Sequence, residues 1–122
     1  MFILTVFTFM RLKMRNGKIM RHISYGLLPD HIQDGMRLYL EQGIEPGSFC
    51  MAALCNDLVE AFCRADEINT ECMKFIASWL YNECPCAARG SASNVAAWIA
   101  AGGFAGMEKR RFSEGELERS KP

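Results

Sequence analysis

The chain has 122 residues, half of them apolar, which suffices for one domain with a real core, is too short for two and argues against global disorder. Its 14 basic and 14 acidic residues cancel, but unevenly. Residues 1–25 carry five bases and no acid, residues 26–85 carry ten acids against Arg37, Arg64 and Lys74, and residues 86–122 carry two more bases than acids. That asymmetry suits either a basic partner for the central segment or a basic arm folded over an acidic bundle.

The opening run Phe2-Ile3-Leu4-Thr5-Val6-Phe7-Thr8-Phe9-Met10 is about half the length a membrane-spanning helix needs. Its bases follow the apolar residues, the reverse of a secretory signal. Two readings stay open. One is a β-hairpin that continues through Leu12 and Met14, turns at Asn16-Gly17 and returns through Ile19 and Ile23. The other is an extension ahead of a true start at Met14 or Met20.

From residue 29 onward the pattern is helical. A first helix is expected from about Asp30 to Gln42, with Pro29 at its entrance, Asp30 as a cap and Ile32, Met36, Tyr39 and Leu40 on one face. Gly35 in its interior suggests a close helix approach, and Gly43 is a left-handed stop. Ser48 caps a second helix, about Phe49 to Ala65, whose apolar stripe holds Met51, Leu54, Cys55, Leu58, Phe62 and Ala65. Asn56, Asp57 and Glu60 point the other way. Asp66 caps a third helix, about Glu67 to Asn82, with Ile68, Cys72, Phe75, Ile76, Trp79 and Leu80 as a broad buried arc ended by Pro85. A shorter fourth helix, about Ser93 to Ala101, buries Val95, Trp98 and Ile99 and stops at Gly102-Gly103. The charged tail from Met107 is read as a frayed helix or as disorder. The expected fold is therefore mainly α, a compact bundle of about four helices with a hairpin as an N-terminal option. It divides into an arm over 1–25, a helical domain over 26–106 and a tail over 107–122.

Six cysteines do not read as a disulfide framework. Cys55 and Cys72 fall on apolar helix faces, no CxxC pair occurs, and Cys84-Pro85-Cys86 has the wrong spacing for zinc. A reduced cytoplasmic protein without metal or cofactor is expected.

The stretch Leu28 to Gly103 resembles a family of small proteins encoded by phages and prophages. The resemblance is carried by Leu28-Pro29-Asp30-His31, the run Glu41 to Phe49, Asn56-Asp57-Leu58 with Ala61-Phe62, and Arg64-Ala65-Asp66-Glu67. It continues in Trp79-Leu80-Tyr81-Asn82-Glu83, Gly90-Ser91 and Trp98-Ile99. It implies a phage origin and a helical fold, and it brings no activity with it.

No catalytic motif is legible. The acids Asp57, Glu60 and Glu67 are candidates for a protein-binding face; together with Asn56, Asp66 and Asn69 they resemble a magnesium or calcium cluster only loosely, because no phosphate-handling base or glycine loop accompanies them. Arg89, Ser91 and Ser93 precede a helix amino terminus and are candidates for holding an anion. The expected function is that of a non-enzymatic phage accessory protein in the host cytoplasm. It binds a host protein or nucleoprotein complex, with inhibition of a defence complex, in the manner of an anti-CRISPR, as its sharpest form. Neither direct nucleic-acid binding nor membrane insertion is expected, and oligomerisation stays open. The alternatives are an oligomeric protein that sequesters a nucleotide signal beside Arg89 and, more weakly, a metal-dependent enzyme.

Overall fold

The computed structural model describes residues 12–15, 18–21 and 23–119, with side chains placed from Ile23 to Ser113. It is mainly helical, with seven α-helices among the described residues. Strands β1 (Leu12–Arg15) and β2 (Lys18–Arg21) pair antiparallel, Leu12 opposite Arg21 and Arg15 opposite Lys18. The apolar run 2–10 and the Asn16-Gly17 turn lie outside the described residues.

Helix α1 (Asp30–Gln42) buries Ile32, Met36, Tyr39 and Leu40, the face expected from their spacing. Its cap falls on Pro29 rather than Asp30, which is already helical and places its charge in the first turn, where the helix dipole favours it. Gly43 ends the helix in the left-handed region at φ 69°, donating its N–H to the Tyr39 carbonyl at 2.9 Å, and Ile44 N–H reaches back to Leu38 O. Gly35 makes no close approach: a Cβ there would meet nothing within 4 Å. The tight contact lies elsewhere, between Gly43 and Gly103.

The second expected helix is two. Helix α2 (Ser48–Leu54) starts one residue after its Gly47 cap, and α3 (Leu58–Arg64) follows a break at Asn56. Asn56 adopts φ 63°, the only positive-φ residue other than glycine among those described. Asparagine tolerates this region better than most residues, and one left-handed residue is enough to end a helix. Asp57 then caps α3 by accepting the Glu60 N–H at 3.1 Å. The third expected helix is also divided, into α4 (Glu67–Glu71) and α5 (Met73–Asn82), joined at Cys72. Asp66 caps α4 as expected, accepting the Asn69 N–H at 2.7 Å. The Thr70 hydroxyl donates to Asp66 O four residues back, a bond that bends helices.

After α5 a 3₁₀ turn (Cys86–Ala88) begins behind Pro85. Helix α6 (Ala92–Ala101) is capped by Ser91, buries Val95 and Trp98 and ends at left-handed Gly102. Gly102-Gly103 is not the end of helical structure. Helix α7 (Gly103–Arg119) runs on through the stretch expected as a charged tail, and Phe104 stacks edge-on against Trp98 at 5.0 Å.

Three aromatic residues knit the core through polar handles that burial obliges to pair. Tyr39, fully buried, donates its hydroxyl to Ala88 O at 2.7 Å. Trp98 donates its indole N–H to Tyr39 O at 3.0 Å, and Trp79 donates to Ser24 O at 2.7 Å. These bonds tie α6 and the 3₁₀ turn to α1, and α5 to the segment ahead of α1. Trp79 is fully buried, as its place in the third apolar arc led one to expect. No helix among the described residues is long and apolar enough to cross a membrane.

Candidate functional site

The breaks at Asn56 and Cys72 decide which side chains face water. An unbroken second helix would bury Leu58 and Phe62 with Leu54. Instead α3 buries only Ala61, and Leu58, Val59 and Phe62 stand 66%, 73% and 47% exposed. The third arc splits likewise: Ile76 and Trp79 are buried, whereas Ile68 and Phe75 are more than half exposed. Large apolar side chains exposed together on neighbouring turns mark an interaction surface more often than chance.

Beside them runs an apolar groove of about 120 Å³. One wall is Leu58 and Ala61 of α3, and the other is Met73, Ile76, Ala77 and Leu80 of α5, with Asn56 and Asp57 supplying polar edges. Pockets for drug-sized ligands run from about 300 Å³ upward. This groove accommodates an inserted side chain rather than a nucleotide.

The three acids assigned to a binding face are placed unequally. Asp57 lines the groove and caps α3. Glu60, one turn on, accepts from Arg64 Nε at 2.7 Å, and that bond raises the Arg64 pKa. Glu67 stands exposed in the first turn of α4, on a separate helix. Asp66, read from sequence chiefly as a cap, has a further partner. Its carboxylate meets His31 Nε2 at 3.1 Å and so joins the start of α1 to the α3–α4 junction.

The anion candidates form a helix cap. Ser91 Oγ accepts the Asn94 N–H at 3.1 Å and lies 3.2 Å from Ser93 Oγ. The Arg89 guanidinium does not join them; it donates to Cys86 Sγ at 3.6 Å, while Arg89 O accepts from the Asn94 amide at 2.8 Å. Gly90 N–H is spent on Leu54 O at 2.8 Å. The serines are thus together, and the base expected to complete the site is turned to a thiol.

All six cysteines are free thiols. Burial pushes Cys50 up to about 11 and Cys84 up to about 12, the latter against the opposing pull of Arg89. Burial, helped by Asp57, also raises Cys55. A thiol raised this far stays protonated at neutral pH and is a poor nucleophile. Among the described residues no three His, Cys, Asp or Glu side chains gather in a metal-holding group.

The residues that sequence reasoning missed as a site are Leu58, Val59 and Phe62. A signal for them existed: Asp57 and Glu60 have capping-box spacing, which places a helix start inside the supposed second helix. Neither a known protein family, nor a curated protein, nor a solved structure matches the chain.

Proposed function

We propose that the protein acts without catalysis, as a phage-type accessory protein that binds a host macromolecule through the α3–α5 face. The observation that carries this reading is the exposure of Leu58, Val59 and Phe62 beside an apolar groove. Such a surface loses water on association, and its groove takes a side chain from a partner. Charge narrows the partner. Residues 57–71 carry Asp57, Glu60, Asp66, Glu67 and Glu71 against Arg64 alone, so the complement is a basic surface with apolar anchors. Proteins and nucleoprotein complexes that handle nucleic acid present such surfaces, and blocking one is the mode of a defence inhibitor of the anti-CRISPR kind. The scaffold, in this reading, is a compact helical bundle in which the second and third of the four expected helices are each divided in two, preceded by the paired strands β1 and β2.

The test immobilises the full chain and the double variant Val59→Asp/Phe62→Asp, both exposed positions, and passes bacterial host lysate over each. The expected result is a basic protein or nucleoprotein retained by the wild type, released by salt and not held by the variant. Equal retention by both chains would remove the α3–α5 face from the function.

A further inference from the structure

The groove between α3 and α5 is apolar along its walls and polar at one place, and that combination selects its occupant. We propose that the side chain a partner inserts there is a lysine, its aliphatic stem between the two helices and its ammonium on Asp57; this rests on reading the α3–α5 face as the binding surface.

The walls fit the stem. Leu58 and Ala61 of α3 lie across from Met73, Ile76 and Leu80 of α5. From Met73 to Leu80 the helix advances about 10 Å, two turns, which suits one long unbranched side chain. Lysine lays its methylenes along apolar surface while its charged head stays in water.

The polar edge fits the head. Asn56 and Asp57 line the groove at the α2–α3 junction, where left-handed Asn56 turns the chain. Asp57 is also the carboxylate whose charge is left over. Glu60 is held by Arg64 at 2.7 Å and Asp66 by His31 at 3.1 Å, whereas Asp57 has no basic partner among the described residues. A wholly apolar anchor would strip water from this carboxylate without giving it a hydrogen bond in return.

The state of that carboxylate also favours lysine over arginine. An arginine fork binds best when it takes both oxygens of a carboxylate. Asp57 Oδ1 already accepts the Glu60 N–H at 3.1 Å. That leaves Oδ2, with the neighbouring Asn56 amide, for a compact ammonium with three rotatable donors.

The test titrates acetyl-Gly-X-Gly-amide peptides into the purified full chain, X being lysine, arginine, norleucine or glutamate. The methyl NMR signals of Leu58, Met73 and Leu80 report on the groove. One buried stem gives dissociation constants on the order of millimolar, within reach of such titrations. Lysine is expected to shift those signals and to bind about three- to fivefold more tightly than norleucine, which has the stem without the charge. The preference for lysine disappears in Asp57→Asn, which keeps the helix cap, and at 1 M salt. Ala77→Leu, at an exposed position of the α5 wall, fills the groove and abolishes the shifts for every peptide. Norleucine binding as tightly as lysine would overturn the proposal in favour of an apolar anchor. Tighter binding of arginine, or a lysine preference that survives Asp57→Asn, would overturn the pairing with Asp57. Signals unmoved by all four peptides would rule out insertion altogether. None of these results touches the capture experiment with Val59→Asp/Phe62→Asp, which tests the face itself.

Discussion

Gly43 and Gly103 meet main chain to main chain: a Cβ on Gly103 would lie 2.6 Å from the Gly43 nitrogen and 2.6 Å from Leu40 O. Both glycines hold left-handed φ, 69° and 64°, so the end of α1 and the start of α7 touch through atoms no side chain can separate. Gly103→Ala adds a clash with backbone to a left-handed strain of about 1–2 kcal/mol. The expected outcome is a loss of more than about 2 kcal/mol in urea unfolding. Gly35→Ala is the control, since its Cβ has open space in a helix interior and should stabilise by about 0.5–1 kcal/mol. Equal shifts in the two variants would show that the α1–α7 contact is not tight.

Trp79→Ala should cost about 3–5 kcal/mol, the range for deleting a large buried aromatic. It empties the site against Tyr25 and also leaves Ser24 O without its donor. Trp79→Phe separates these effects in part, keeping much of the packing while removing the hydrogen bond, for roughly 1–3 kcal/mol from the lost bond. An unchanged unfolding midpoint for the alanine variant would contradict the burial of Trp79.

The elements most legible in the sequence were those whose periodicity and stop signals agree. In α1 the spacing of Ile32, Met36, Tyr39 and Leu40 and the glycine at 43 give the same helix, and the structure buries those four side chains. In the second and third helices the apolar spacing persists through Asn56 and Cys72, so periodicity alone joins what local backbone geometry divides. The cost of that misreading falls on the site, because it turns Leu58, Phe62, Ile68 and Phe75 inward when the breaks turn them out. The length of α7 was hidden for another reason. Its charged sequence has little apolar pattern beyond Phe104 and Met107, the two large apolar side chains among those described in α7 that pack on the core. Contacts between distant residues, such as His31 with Asp66, leave no trace in spacing.

Cys84 should make stability fall in alkali. Folded, its thiol is raised from the ordinary 9.0 to about 12, so below pH 9 it is protonated in both states and contributes no pH dependence. Above that the unfolded chain sheds its proton while the folded chain keeps it, and stability is lost as pH rises from about 9 towards 12. Each pH unit in that window costs about 1.4 kcal/mol, so at pH 10.5 the penalty is of order 2 kcal/mol. Measured as urea unfolding at pH 8 and pH 10.5, the wild type should lose that much more than Cys84→Ala. Cys50, raised by burial to about 11, acts in the same direction and is common to both chains. Identical losses would show that the Cys84 thiol reaches solvent in the folded state.

The last expectation concerns the carboxylates around the groove. Asp57→Asn, Glu60→Gln and Glu67→Gln together remove three negative charges while keeping shape. Asparagine still accepts the Glu60-position N–H as a cap, and the lost Glu60–Arg64 pair is a solvent-screened surface contact that adds little to stability. Fold stability should therefore move by less than about 1 kcal/mol, whereas Asp57→Ala, which removes the cap, should cost about 0.5–2 kcal/mol. Binding to a basic partner should weaken mainly through a slower association rate, and the difference should shrink at 1 M salt, where the Debye length is about 3 Å. Stopped-flow or surface-binding kinetics at two salt concentrations reads both effects. An association rate indifferent to the amides and to salt would leave Leu58, Val59 and Phe62 as the binding determinants and take charge steering out of the recognition.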